Sequence, residues 1–377
     1  MKTSTMIFVT TLVLSMLLRS ELLAERQSAD LILHSGKIVT VNPRFEIAEA
    51  MAVRGERIMA VGRDSKLLKL AGPDTKVIDL DGKMVIPGLI DSHVHSTGAA
   101  VYEYDHPVPV MNTIADVLEH VKQRADALQD GQWIRLSQVF ITRLADQRFP
   151  TRQELDAVAP HNPVVFRTGP DQALNSLALK LSGIDRDTEF PAGRVGVIEK
   201  DPQTGELTGI IRNGGSLVKY QSAERSPEFS DRQLELKKLI ANYNSVGITS
   251  ISDRNASDSA VKQWRALMNE GGLNVRVFLY YSLNANVPLA EVDARIKKAI
   301  NDPLHEYNNM LWLRGVKVFL DGGMLTGSAY MNEPWGVSKI YSITDPEYRG
   351  TRYIDPERLY QVSLRVLDAG LQMTAHS

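Results

Sequence analysis

The sequence predicts an α/β protein whose main part is a series of parallel strands, preceded by smaller antiparallel strands. From Ser230 onward, helical patterns alternate regularly with short apolar strands. Right-handed crossovers turn such a series into a parallel barrel or an open sheet. Residues 85–95 form one further apolar strand, which ends in His93 and His95. The series therefore has five strands, whereas a closed eight-stranded barrel needs three more.

The first 28 residues predict export to the periplasm or the extracellular space. Lys2 precedes a mostly apolar stretch, residues 6–18, which has the length of a signal-peptide core and is short for a membrane span. Leu22 and Ala24 meet only half of the small-x-small cleavage preference, so an uncleaved anchor is the alternative. Contact with a membrane is expected only in that second case.

Residues 30–83 predict small antiparallel strands, because short alternating apolar runs are interrupted there by glycines. The region after the histidine pair, residues 96–229, does not follow a simple strand-helix alternation. Within it, the apolar spacing of residues 116–128 predicts an amphipathic helix with Thr113 as its cap. His120 lies on that helix between charged neighbours, and we expect it to be solvated.

The second half supplies the regular series. Ser230, with Gln233 three residues later, predicts the start of a helix that ends at Gly247. The predicted helices are residues 230–247, 260–270, 289–300 and 355–369. The strands that follow them are residues 248–253, 275–281, 316–320 and 371–376.

Composition limits the classes of partner and of site. A chain of 377 residues, 43% of them hydrophobic, can bury a large core and exceeds one small domain. The net charge of -2 gives no electrostatic reason to expect nucleic acid or an anionic membrane as partner. The absence of cysteine removes disulfides and thiolate ligands, so that a metal must be held by nitrogen and oxygen.

His93 and His95 form the first candidate site. Side chains alternate along a strand, so both imidazoles point to one side and can hold one ion at roughly 2.0–2.1 Å each. Asp91 lies on the same face. From spacing alone, a chance pair of half-exposed histidines is the alternative. The preceding apolar run delivers the pair to the carboxyl end of a strand, where parallel α/β folds place their chemistry.

Lys317 is the second candidate. It interrupts an apolar strand, and a buried ammonium is costly unless it is paired or chemically changed. From the residues alone, pairing with Asp253 or Asp321 at the strand ends is the alternative.

Longer segments resemble the amidohydrolase superfamily: residues 29–40, 52–62 and 78–83, which run into the His-x-His strand. Residues 163–167, 175–179, 205–209 and 315–322 are similar to its family 3 branch, which includes N-substituted formamide deformylases and exoenzyme regulatory proteins. The resemblance extends from about residue 29 to the end of the chain.

The resemblance implies a three-part organisation. It implies a partial TIM barrel, about five of eight strands, over residues 88–377. Residues 29–87 would be the N-terminal part of a β-sandwich, and residues 96–229 an insertion that covers the pocket and helps to select the substrate. Two positions depart from the family pattern, with Pro170 in place of a common His and Asn213 in place of a common Glu.

The resemblance also implies the chemistry, which is hydrolysis of a carbon-nitrogen bond in a small amide or formamide. One or two divalent ions, expected to be Zn²⁺, would be held by His93, His95, Lys317 as a carbamate, and His376. The family's later ligands and its proton-shuttling Asp have no counterpart before Ser377, so no catalytic base is assigned and weak or no turnover is expected. The alternative is a non-catalytic remnant, or an exported binding or regulatory protein of the same ancestry.

Overall fold

The computed structural model describes residues 28–191, 196–222 and 224–377. The predicted signal peptide or anchor lies outside the described residues. The chain divides into two compact units, one ending at Leu89 and the other comprising Ile90–Ser377. None of the helices in the described part is long and apolar enough to cross a membrane.

The first unit contains short strands in two small sheets. Its elements are β1 (Ala29–His34), β2 (Lys37–Val39), β3 (Ile47–Ala48), β4 (Ala50–Arg54), β5 (Arg57–Gly62), α1 (Asp64–Leu67), a 3₁₀ turn (Leu68–Leu70), β6 (Ala71–Asp79) and β7 (Met84–Val85). The strand orders are β5-β4-β1-β6 and β3-β2-β7. The predicted antiparallel pairing is found between β1 and β4, β4 and β5, and β2 and β3, but it is wrong for β1 with β6 and β2 with β7, which pair in parallel. Alternation indicates a strand but not its direction, which distant partners decide.

The insertion follows β8 (Leu89–Val94). Its elements are α2 (Ser96–Ala99), α3 (Ile114–Ala127), β9 (Ile134–Ser137), a 3₁₀ turn (Ile141–Arg143), α4 (Arg152–Val158), β10 (Val164–Thr168), β11 (Asp171–Leu174), α5 (Ser176–Ser182), β12 (Val197–Lys200), β13 (Leu207–Arg212) and a 3₁₀ turn (Gly214–Ser216). The sheet order is β12-β13-β11-β10-β9, with β9 and β10 parallel and the other pairs antiparallel. Separate apolar clusters, one containing Phe166 and the other Val165, show that both faces of this sheet are covered.

Helix α3 tests the local predictions made for the insertion. Thr113 caps it as predicted, and Asp116 completes a capping box. The expectation that His120 is solvated is wrong. Only 6% of His120 is exposed, and its ring stacks on that of His106 with centroids 5.9 Å apart. The charged neighbours of His120 along the helix do not indicate that the loop before the helix supplies the ring of His106 as a stacking partner.

The regular series forms, together with β8, a second five-stranded sheet. Its elements are α6 (Phe229–Ser245), β14 (Ile248–Ala256), α7 (Asp258–Asn269), β15 (Arg276–Ser282), α8 (Leu289–Ile300), a 3₁₀ turn (Pro303–His305), β16 (Leu311–Phe319), a 3₁₀ turn (Met324–Thr326), α9 (Pro356–Asp368) and β17 (Gln372–His376). The order is β17-β16-β15-β14-β8, and strands β14 to β17 pair in parallel. The predicted α/β class and the parallel series are confirmed. The capping box of α6 uses Glu228 and Asp231, not Ser230 and Gln233.

Helices α6 to α9 contribute apolar side chains to one core with the strands. Trp264 of α7 and Val366 of α9 are fully buried in it with Leu279 and Val316 of the sheet. Gly315 allows a close approach of β16 to β17, because a Cβ at this position would lie 1.8 Å from a backbone oxygen of β17. Packing of helices against one face leaves the carboxyl ends of the strands to carry polar side chains.

Candidate functional site

The two histidines of the β8 motif lie side by side. Their ring centroids are 5.3 Å apart with an interplanar angle of 82°. His93 is in the strand and His95 directly follows it, so strand alternation puts both rings on one side. Asp91 accepts a hydrogen bond from the backbone N–H of His93 at 3.1 Å.

Lys317 and His376 lie on neighbouring strands at the other end of the sheet order. In the β16–β17 ladder, Lys317 pairs with Thr374 and Phe319 with His376. Paired residues in a ladder share a face, and so do residues two apart in a strand. The Phe319 ring therefore contacts both candidates: the Lys317 Nζ lies 5.1 Å from its centroid and the His376 centroid 5.6 Å from it.

The sheet is curled, which brings its two edges towards each other. Strands β8 and β17 are the edges of the sheet, yet the charges of Lys317 and His376 both act on His93. Burial, followed by the charges of Lys317 and His95, lowers the pKa of His93 to about 4. His93 therefore carries a neutral imidazole at neutral pH, the form that binds metals.

Two backbone carbonyls orient the imidazoles. The Nδ1 atom of His95 donates to the carbonyl oxygen of Arg254 at 2.5 Å, and the Nε2 atom of His376 donates to that of Gly322 at 3.0 Å. In the neutral ring, the nitrogen that does not donate carries a lone pair. Each hydrogen bond thus leaves one nitrogen available as a ligand, as carbonyl partners of metal-binding histidines do.

Lys317 is buried without a hydrogen-bond partner for its ammonium group. Its exposure is 1%, and within the described part of the chain its Nζ bonds to no acceptor. Burial, reinforced by the nearby charge of Arg254, lowers its pKa to about 8. The pairing considered from sequence is not seen. Asp253 instead accepts from the Trp264 indole at 2.7 Å, and Asp321 from a backbone N–H at 2.8 Å.

The donor set fits a divalent ion in its chemistry but is incomplete as conventional ligands. Among residues 28–191, 196–222 and 224–377, no three His, Asp or Glu side chains lie close enough together to hold a metal ion. Imidazole nitrogens suit zinc, and the orphaned Nζ of Lys317 is a position where an added carboxylate group would supply an oxygen donor. The fit therefore depends on conversion of the Lys317 ammonium group into an oxygen ligand.

A cavity of about 620 Å³ adjoins these residues. Strand ends, the loops after them and the insertion line it: Arg167, Pro170, Asn213, Gly215, Ser282, Leu283, Asn284, Ala285, Asn286, Val287, Pro288, Phe319, Tyr353 and Ile354. Two of these residues connect it to the candidate site. Ser282 pairs with Lys317 in the β15–β16 ladder, and Phe319 contacts both Lys317 and His376. Both departures from the family pattern, Pro170 and Asn213, face this space.

The β10–β11 hairpin presents Pro170 to the cavity. Thr168 pairs with Asp171, which leaves Gly169 and Pro170 as a two-residue turn. Gly169 has φ +56°, the left-handed value required at the first central position of a type II′ turn, and proline suits the second. The sequence therefore encodes a tight, defined tip at this wall.

A buried ion-pair network lies elsewhere in the insertion. Arg212 is 1% exposed and contacts two carboxylates, Glu199 at 2.5 Å and Asp171 at 3.3 Å. It also donates to the carbonyl oxygens of Thr326 (2.8 Å) and Tyr341. Through these hydrogen bonds, Arg212 holds the segment after β16 against the insertion sheet.

Sequence reasoning missed Arg254, Phe319 and Arg212. Arg254 lies one residue beyond the predicted end of its strand, and that strand in fact continues to Ala256. Phe319 lies two residues after Lys317 in the same strand. This spacing is the one signal that could have placed the two side chains on the same face. For Arg212, no local signal existed.

Known proteins resemble this chain in sequence and in fold. The sequence pattern of the Amidohydrolase family matches residues 76–377. An N-substituted formamide deformylase of Arthrobacter pascens is 33% identical over 246 residues, which are 63% of this chain and 45% of that protein. Protein LONG AFTER FAR-RED 3 of Arabidopsis thaliana is 28% identical over 362 residues, 93% of this chain and 59% of that protein. The chain thus spans roughly half the length of these curated relatives.

A metal-dependent hydrolase of Pyrococcus furiosus has a similar fold. Its structure superposes with a TM-score of 0.57 at 21% identity, and covers 92% of this chain and 67% of the other. Such identity supports the fold alone. Together with the family pattern, which matches most of the chain and includes all four candidate residues, it leads to one conclusion: this protein belongs to the amidohydrolase family.

Proposed function

We propose that the protein hydrolyses a carbon-nitrogen bond in a small amide or formamide, with one or two divalent ions, zinc foremost, held by His93, His95, Lys317 and His376. One observation carries the proposal. His93 and His95 lie near the carboxyl end of β8, and a buried lysine without a partner and His376 lie near the carboxyl ends of β16 and β17, close enough for the charges of Lys317 and His376 to act on His93. That place is where parallel α/β folds locate their chemistry.

A divalent ion held by these residues would supply Lewis acidity towards the substrate carbonyl and would lower the pKa of water near it. The residues of the chain prepare the site. The carbonyls of Arg254 and Gly322 hold two imidazoles in one tautomer each, and partial desolvation together with nearby positive charge keeps His93 neutral. Hydrolysis adds water across the acyl C–N bond and releases a carboxylate and an amine.

Lys317 is proposed to act as a carbamate. With its pKa lowered to about 8, a substantial fraction of its side chain is the neutral amine near that pH. The ammonium first loses one proton; the neutral amine nitrogen then forms a bond to the carbon of CO₂, one C=O π bond opens to leave its electron pair on oxygen, and the nitrogen releases a second proton, so that an anionic carboxylate replaces the cation. This change would satisfy the orphaned Nζ and offset the surrounding positive charge.

The remaining parts of the chain are proposed to follow the family plan. Residues 96–229 cover the cavity and contribute to substrate selection, which is supported by the insertion residues in its lining. Residues 29–87 form part of a β-sandwich. The N-terminal segment exports or anchors the chain. Asp253 and Asp321 are held in packing contacts, and no general base is assigned.

Metal content of the purified full chain tests the proposal. Elemental analysis would compare wild type with the double variant His93→Ala/His95→Ala and with a control that removes two imidazoles not assigned to the site, His34→Ala/His161→Ala. We expect about one equivalent of zinc or more in wild type and in the control, and its loss in the site variant. A panel of N-substituted formamides and simple amides, assayed for amine release, would report turnover on the same samples.

Each outcome has a defined meaning. Zinc that remains in the site variant, or a folded wild type without metal, would contradict the assigned ligands. Zinc binding with no hydrolysis across the panel would favour a binding or regulatory protein of amidohydrolase ancestry over an enzyme.

A further inference from the structure

We propose that Arg167 is an anion-binding subsite in the 620 Å³ cavity, and that the molecule bound there is an amide that also carries a carboxylate. This inference rests on the proposed function, because it names the chemical class of substrate for that site. It adds a specificity residue that takes no part in metal binding.

The charge of the cavity wall is the first argument. Arg167 is the only charged side chain among the described lining residues. The other polar groups there are neutral, for example Ser282, Asn284 and Asn286. An uncompensated cation in a partly enclosed space attracts an anion more strongly than the same cation on an open surface.

The bonding of Arg167 is the second argument. Its Nε donates to the carbonyl oxygen of Gly169 at 3.1 Å. Among the described residues, this is the one hydrogen bond of its guanidinium, and no carboxylate pairs with it, so that its two terminal nitrogens face the cavity and solvent. Arg167 is exposed at the cavity surface, and desolvation by the surrounding protein, followed by repulsion from Arg135, lowers its pKa. Both effects would be relieved by a carboxylate, which matches the planar fork of a guanidinium with two parallel hydrogen bonds.

The position of Arg167 is fixed by the sheet. It lies in the β10 ladder, paired with Ser137 on one side and Gln172 on the other. The Gly169 carbonyl that it contacts belongs to the tight hairpin tip. A guanidinium held in this way loses little conformational entropy when it binds a ligand.

The cavity also joins Arg167 to the candidate metal residues. Phe319 lines the same space and contacts Lys317 and His376. Apolar side chains, Leu283, Val287 and Ile354 among them, form much of the remaining wall. A ligand with a carboxylate, an apolar middle and an amide therefore matches the groups presented.

Binding of two probes that differ only in charge tests the inference. Racemic N-acetylleucine is the anionic probe and racemic N-acetylleucinamide, its primary amide, is the neutral one. Calorimetry at pH 7 and physiological ionic strength would be run on the full chain as wild type, Arg167→Met and Arg167→Lys. Arg314→Met is the control, since Arg314 stacks on Trp312 in the first half of β16 and does not line the cavity.

We expect wild type to prefer the anion by roughly 10- to 100-fold, the range for hydrogen bonds to a charged group. Arg167→Met should abolish this preference and leave the affinity for the neutral probe unchanged, Arg167→Lys should retain part of it, and Arg314→Met should behave like wild type. Equal binding of both probes by wild type, binding of neither, or a preference that survives in Arg167→Met would overturn the inference.

Metal analysis of the same samples separates this inference from the proposed function. A wild-type chain that binds zinc but shows no preference for the anionic probe would count against the Arg167 subsite alone. An intact preference in a chain that binds no metal and hydrolyses nothing would count against the proposed function alone.

Discussion

Two side chains with the same exposure, 1%, carry positive charge into the interior of the second unit and meet opposite surroundings. Arg212, in the insertion, contacts two carboxylates and two carbonyl oxygens. Lys317, in the parallel sheet, has no hydrogen-bond partner among the described residues. The cost of burying a charge is offset in the first case and not in the second.

The difference separates a structural cation from a functional one. Arg212 joins the insertion sheet to the segment that contains Thr326 and Tyr341, so its bonds shape the surface around the cavity. Lys317 lies where strands end, beside imidazoles whose own partners are already fixed. A buried amine without a hydrogen-bond partner lowers the stability of the fold. Such a group therefore indicates that Lys317 has a functional role.

The largest expected effect comes from breaking the Arg212 network. Arg212→Met leaves Asp171 and Glu199 buried without their cation, and we expect a loss of about 3–5 kcal/mol in the free energy of unfolding. Urea denaturation followed by circular dichroism would measure it. The control is Arg186→Met, because Arg186 and its partner Glu206 are more than half exposed and such a pair contributes about 0–1 kcal/mol. Similar small losses in both variants would show that the network does not stabilise the fold.

An intermediate effect of opposite sign is expected at Lys317. In chelated, metal-free protein at pH 7, Lys317→Met should leave the unfolding free energy unchanged or raise it by about 1–3 kcal/mol, because a buried group without a partner is removed. The same change should abolish zinc binding. Thermal unfolding and elemental analysis would measure the two effects, with the exposed Lys180→Met as control. A clear loss of metal-free stability would mean that Lys317 has a partner in solution.

The smallest effect, per measured pH step, is a pH dependence in the insertion. Burial outweighs the attraction of Arg212, which is shared with Asp171, and raises the pKa of Glu199 to about 7. In the unfolded chain this carboxyl titrates at about 4.3, so the folded state binds more protons between these values. Stability should therefore fall as pH rises through this window, by at most about 1.4 kcal/mol per pH unit.

Glu199→Gln isolates this contribution, since the amide does not titrate. Urea midpoints measured from pH 4.5 to 7.5 should decline less steeply in the variant than in wild type. Parallel profiles for the two proteins would assign the pH dependence to other groups.

The sequence by itself determined the local elements. Apolar periodicity gave helix α8 at its observed ends and the other helices of the series to within two residues, and Thr113 was a readable cap. The alternation of strands and helices gave the parallel sheet, and spacing put His93 and His95 on one side. These features depend on neighbours within a few residues, which periodic patterns encode.

Tertiary structure alone decided which residues contact each other. The carbonyl that orients His95 lies 159 residues further along the chain, and the carbonyl of Tyr341 that Arg212 reaches is 129 residues away. The same limit explains the errors at His120 and in the pairing of β1 with β6. A pattern records which face of an element is buried, but the partner, the local dielectric environment and the curvature that brings β8 towards β17 arise only when the whole chain has packed.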